Sequence, residues 1–68
     1  MMRYKNFVII KQEKSHYRPV VGVSYETRTV KLGAMDDDGL SFSLEEAQSL
    51  ARMLNLYGYS ALVWSRKE

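Results

Sequence analysis

The sequence contains no cysteine, one histidine and one proline among its 68 residues, and these shortages narrow the possible chemistry. Without cysteine the chain forms no disulfide, no thiolate zinc site and no cysteine nucleophile. One histidine, His16, does not make a histidine-based metal site, and no serine stands in a G-x-S-x-G nucleophile elbow. We therefore predict no catalytic residue, no cofactor and no metal ligand, and we interpret the protein as non-enzymatic.

Long apolar runs and clustered charges are also missing. No apolar stretch approaches the ~18 residues of a membrane span, and the run FVII is shorter than the apolar region of a secretory signal. We expect a soluble, cytoplasmic protein with no membrane partner. The net charge is only +2, and its cations are scattered along the chain. Scattered cations are typical of a solvated surface and weaken the case for nucleic-acid binding.

The length of the chain limits it to one domain, residues 1–68. A chain this short buries only about 60% of its unfolded surface, so its core supplies little net stability. Small domains make up the shortfall with disulfides, metals or self-association. Because disulfides are excluded here, self-association is the device we expect first.

The apolar pattern predicts an α+β fold of order β-β-β-α-β, with an antiparallel or mixed four-stranded sheet and one helix on one face. The predicted strands are residues 4–12, 17–26, 29–35 and 59–66, with a first turn at residues 11–15. The first strand is apolar on both faces, which places it inside the sheet. In the second, Val21, Val23 and Tyr25 share one face, while Val20, Gly22 and Ser24 take the other. Pro19 belongs at the start of this strand or at an outward-facing edge position, and Gly22 indicates a bulge or a close approach by another group.

The helix carries the clearest signals. Ser43 and Glu46 form an S-x-x-E capping box, in which each side chain bonds the free backbone N–H of the other residue. Apolar residues then recur at helical spacing from Leu44 to Tyr57 and form one apolar stripe. Gly58 is suited to end the helix in the left-handed conformation.

An acidic segment, Asp36 to Asp38 followed by Gly39, lies between the third strand and the helix. It partly fits a calcium-binding EF-hand loop, with Glu45 at the last ligand position, but Ala34 occupies the first ligand position. Asp side chains also accept backbone N–H groups in turns, where glycine supplies a positive φ. We favour the structural turn, and ion binding there stays open.

One helix covers only one face of a sheet, yet the first and last strands are apolar on both faces. We therefore predict a protein-binding module of adaptor or inhibitor type that self-associates, with a homodimer as the default, through an apolar sheet face or edge. The predicted contact residues are Phe7, Ile9, Tyr25, Leu62 and Trp64, with the acidic turn at the rim.

The alternative is a nucleic-acid-binding domain. Basic residues with Tyr17 and Tyr25 would form a sheet face on which bases stack while cations hold phosphates. The cations proposed for this role are Lys5, Lys11, Arg18, Arg28 and Lys31.

Overall fold

A computed structural model describes residues 3–12 and 16–68 of the chain. Its elements are β1 (Tyr4–Lys11), β2 (Tyr17–Ser24), β3 (Thr29–Leu32), α1 (Leu44–Leu56) and β4 (Ala61–Lys67). The sheet has the order β3-β2-β1-β4, and each neighbouring pair is antiparallel. The predicted α+β class, element order and interior position of β1 are therefore confirmed. Residues 13–15 of the predicted first turn lie outside the described residues.

Helix α1 begins and ends at the predicted signals. The Ser43 hydroxyl accepts the Glu46 backbone N–H at 3.2 Å and donates to the Glu46 carboxylate at 2.9 Å. The Glu46 carboxylate therefore accepts from the Ser43 hydroxyl, whereas the predicted capping box had it accept from the Ser43 backbone N–H. Beyond the helix, Gly58 has φ +98°, as predicted.

The main core lies between α1 and the sheet. The helix contributes every third or fourth residue, and the three longest strands contribute the facing positions. The fully packed members are Val8, Ile10, Val20, Ala47, Leu50, Ala51, Leu54 and Ala61. Residues 8 and 10 of β1 therefore point toward the helix, and residues 7 and 9 point away from it.

A bulge in β2 changes which of its residues are buried. The pairing with β3 shifts between Val20 and Gly22, which confirms the bulge predicted at the mid-strand glycine. The extra residue reverses the alternation, so Val20 and Val23 both pack against the core. The predicted separation of these two valines onto opposite faces is wrong for that reason.

The sheet opens between its two central strands. Only residues 9–11 of β1 pair with residues 17–19 of β2. Beyond them, the segment 39–42 lies in the gap, where Leu40 donates its N–H to the Val20 carbonyl at 2.9 Å and Phe42 donates to the Asn6 carbonyl at 2.8 Å. The gap is where the chain passes from one side of the sheet to the side that α1 occupies.

Asn6 holds this crossing in place. Its buried side chain donates to the Phe42 carbonyl at 3.2 Å and accepts the Ser65 hydroxyl at 2.6 Å. Gly39 starts the crossing with φ +83°, and a Cβ there would come within 2.7 Å of the Pro19 side chain. The crossing therefore requires glycine at position 39 for both its backbone angle and its close approach to β2.

Candidate functional site

Strand β4 divides its residues between the two faces of the sheet. Ala61 and Val63 pack on the helix side. Leu62, Trp64 and Arg66 alternate with them and lie on the opposite side, which we call the open face. The strand register places Leu62 beside Ile9 and Trp64 beside Phe7, so side chains of β1 and β4 share this surface.

Phe7 is buried on the open face without any contribution from the helix, and only 2% of it is exposed. Its ring lies 5.8 Å from the Trp64 ring, and the Arg66 guanidinium lies 5.4 Å from its centroid. Asp38 in turn contacts Arg66 at 3.3 Å, so the acidic turn reaches over this face. The expectation that the chain itself leaves this face uncovered is therefore wrong at Phe7.

The acidic turn is held by its own hydrogen bonds. The Asp37 carboxylate accepts the Ala34 backbone N–H at 3.0 Å, and the Asp37 N–H donates to the Ala34 carbonyl at 3.0 Å. Together with the positive φ of Gly39, this confirms the predicted structural turn. Within residues 3–12 and 16–68, no three acidic or histidine side chains are grouped as a metal site would require.

Four apolar and aromatic side chains remain at the surface of the open face, and we call them the open-face patch: Ile9, Tyr17, Leu62 and Trp64. Leu62 is 50% exposed and Trp64 is 47% exposed, while Ile9 is half-buried between the strands that carry them. Tyr17 and Leu62 both line a shallow pocket of ≈ 360 Å³. The patch thus draws its residues from β2, β1 and β4.

Tyr25 lies apart from this patch. It is 64% exposed and lines a separate pocket of ≈ 460 Å³ together with Glu45, Leu50 and Met53 of α1. The structure therefore brings Ile9, Leu62 and Trp64 together, buries Phe7 beside Trp64, and puts Tyr25 on the helix side.

Three of the five cations proposed to bind nucleic acid lie on the open face. Lys5 pairs across the strands with Arg66, and its ammonium lies 3.7 Å from the Glu68 carboxylate. Lys11 pairs with Tyr17 in the adjoining strands. Lys31 alternates with core-facing neighbours in β3 and so points to the same side.

The other two cations lie elsewhere. Arg18 pairs with Ile10, whose side chain faces the helix, so the Arg18 side chain points to the opposite side of the sheet from Lys11, although both residues line a pocket of ≈ 600 Å³. Arg28, at φ +56° in the turn between β2 and β3, places its guanidinium 5.9 Å from the Tyr57 ring. The five predicted cations therefore do not form one surface.

Tyr17 and Arg66 belong to the site but were not among the predicted contact residues. Arg66 follows Leu62 and Trp64 at the two-residue period of a strand, which was a usable signal. Tyr17 joins the open face because it pairs with Lys11, and the sequence between the two strands carries no hairpin signature from which that register could be predicted.

No protein-family model, curated protein or solved structure matches this chain. Among the described residues, no helix has the length and apolar character needed to cross a membrane. Function must accordingly be inferred from the surface of the molecule itself.

Proposed function

We propose that this protein is a small non-enzymatic protein-binding module that self-associates through the open-face patch or the edge of strand β4. The observation that supports this is that Leu62 and Trp64, each about half exposed, lie on one face of β4 beside Ile9 of β1. Single exposed apolar residues are ordinary, whereas contiguous ones mark interaction sites. Tryptophan and tyrosine are also the residues that most often anchor protein interfaces.

The charges around the patch support a protein partner over a nucleic acid. Arg66 is already paired with Asp38, and Lys5 is paired with Glu68. An apolar centre with a rim of both signs is the usual make-up of a protein interface. A nucleic-acid site instead gathers unpaired cations, and here Arg18 and Arg28 lie away from the face.

A second copy of the chain is the partner we propose first. Twofold dimers are the commonest assembly, and a short chain without disulfides gains stability by covering apolar surface in this way. A dimer joined at the β4 edge would also present two patches at once, which suits an adaptor that holds a larger protein at two points.

Light scattering over a concentration series from micromolar to millimolar tests the proposal. The mass of the wild type should rise from that of one 7.9 kDa chain toward twice that value. Trp64→Lys should remain at the mass of one chain. Leu56→Lys, which alters an 81% exposed leucine on α1 away from the open face, should behave as the wild type does. A wild type that stays monomeric throughout would refute self-association.

A titration with a mixed-sequence oligonucleotide at about 50 mM and at higher salt addresses the alternative function. Phosphate contacts give an affinity that falls steeply as salt rises. We expect no binding at either salt concentration. Binding that is weakened by salt and by Lys11→Ala, but unchanged by Leu56→Lys, would replace the protein-binding proposal with a nucleic-acid-binding one.

A further inference from the structure

The outer edge of β4 carries unpaired backbone groups in a regular pattern. Ser60 and Glu68, just outside the two ends of the strand, hydrogen-bond inward to β1, through Lys11 N–H to the Ser60 carbonyl and Glu68 N–H to the Arg3 carbonyl. Alternate residues of an antiparallel strand bond to opposite sides. The N–H and C=O groups of Ala61, Val63, Ser65 and Lys67 therefore point away from the sheet.

Asn55 blocks one end of this edge. Its side-chain oxygen accepts the Ala61 N–H at 2.7 Å, and its side-chain nitrogen donates to the Ala61 carbonyl at 3.1 Å. No described residue makes a corresponding bond to the outward groups of Val63, Ser65 or Lys67. The free edge is thus confined to residues 63–67, with Ser65 at its centre.

The opposite edge of the sheet is less suited to strand pairing. Strand β3 has four residues, against seven in β4, and it pairs with a bulged strand. Strand β4 contains no proline and no bulge, which are devices that proteins use to protect an edge from pairing, and its charged residues, Arg66 and Lys67, are confined to one end. Strand β4 is therefore the longer and more regular of the two edges for a second strand.

We infer that two copies pair antiparallel through β4, with the twofold axis at Ser65. This inference rests on the proposed self-association and specifies its register. Centring on Ser65 uses the whole free edge and sets Val63 against the partner's Lys67. It also sets Trp64 directly against the partner's Arg66, in a non-hydrogen-bonded pair where side chains approach most closely. A guanidinium beside an indole ring is a favourable pair, and within one chain Arg66 already lies 5.9 Å from Trp64.

This complementarity indicates a second copy as the occupant in place of an unrelated strand. Because Trp64 and Arg66 stand two residues apart, one antiparallel register pairs Trp64 of each chain with Arg66 of the other. The same register places the two open-face patches side by side on one continuous sheet. The patches then remain available to a further protein.

Cysteine cross-linking tests the register, and the natural chain has no cysteine to interfere. Across the axis the two Ser65 Cα atoms would lie about 5.5 Å apart, within disulfide reach. Under mild oxidation Ser65→Cys should become a covalent dimer. Two controls should remain monomeric on a non-reducing gel: Lys67→Cys on the same edge, whose copies would lie four residues out of register, and Thr29→Cys on β3.

Each result decides between specific outcomes. Preferential cross-linking of Lys67→Cys would refute the register. Preferential cross-linking of Thr29→Cys would show that the two copies meet at β3 and not at β4. A wild type that dimerises by light scattering while Ser65→Cys fails to cross-link would refute edge pairing and leave the proposed function standing. A monomeric wild type would refute both.

Ser65→Cys loses the hydrogen bond to Asn6, so amide hydrogen exchange on the wild type provides an independent measurement. On raising the concentration, the amides of Val63, Ser65 and Lys67 should exchange at least about tenfold more slowly, because pairing protects them. The Val30 amide, which points outward on β3 because Gly33 N–H bonds inward to Pro19, should be unchanged. Equal slowing at both edges, or none at β4, would overturn the inference.

Discussion

Phe7 should be a stability residue, although it stands in the row of side chains that point away from the helix. Phe→Ala in a core costs about 3–5 kcal/mol, which equals the whole stability expected of so small a domain, so Phe7→Leu is the better change. Leucine keeps most of the apolar contact but loses the ring pair with Trp64, worth about 0.5–1.5 kcal/mol, and the contact with Arg66, worth about 0.5–1 kcal/mol. With imperfect repacking we expect a loss of about 2 kcal/mol.

Urea unfolding at a concentration where the protein is monomeric measures this loss. The matched control is Trp64→Leu, which removes the same ring pair and a similar contact with Arg66 from a side chain that is 47% exposed. We expect Trp64→Leu to cost about 1 kcal/mol, since much of its surface is hydrated in both states. Equal losses in the two variants, or a larger loss for Trp64→Leu, would refute the burial of Phe7 beneath the acidic turn.

Three further predictions follow from single contacts. Asn55→Ala should lower the free energy of unfolding by about 1–2 kcal/mol, because it leaves the outward groups of Ala61 unpaired, whereas exposed Gln48→Ala should change it little. Gly39→Ala should cost about 1–3 kcal/mol more than Gly58→Ala, since both have positive φ but only Gly39 meets Pro19; equal losses in urea would contradict the described crossing. Leu62→Lys should leave the mass of an edge-paired dimer unchanged, because the new lysine would lie opposite the partner's Glu68. Loss of the dimer in light scattering would indicate instead that the two open faces stack on each other.

Local patterns were sufficient to predict the elements of this fold. The capping box at Ser43 and the glycine at position 58 mark the two ends of the helix, and the apolar stripe marks the residues between them. The structure contains all three features. Gly22 likewise marks the bulge in β2. Such features depend on residues that are close in sequence, so the sequence alone is sufficient to predict them.

The cover over the open face could not be predicted in the same way. It depends on Asp38 meeting Arg66, which is 28 positions away, and on Leu40 and Phe42 bonding to two different strands. Asp38, Leu40 and Phe42 carry no periodic signal, since the segment 38–42 is neither helix nor regular strand. The same contacts decide that Phe7 is buried while Trp64 stays half exposed, so the site could be predicted only in part.

The solution mass of the wild type compared with Trp64→Lys at the same high concentration tests the central claim most directly. If the β4 edge or the open-face patch joins two copies, the wild type approaches twice 7.9 kDa and the variant does not. A wild type that remains at the mass of one chain, or a variant that dimerises equally well, would contradict the claim.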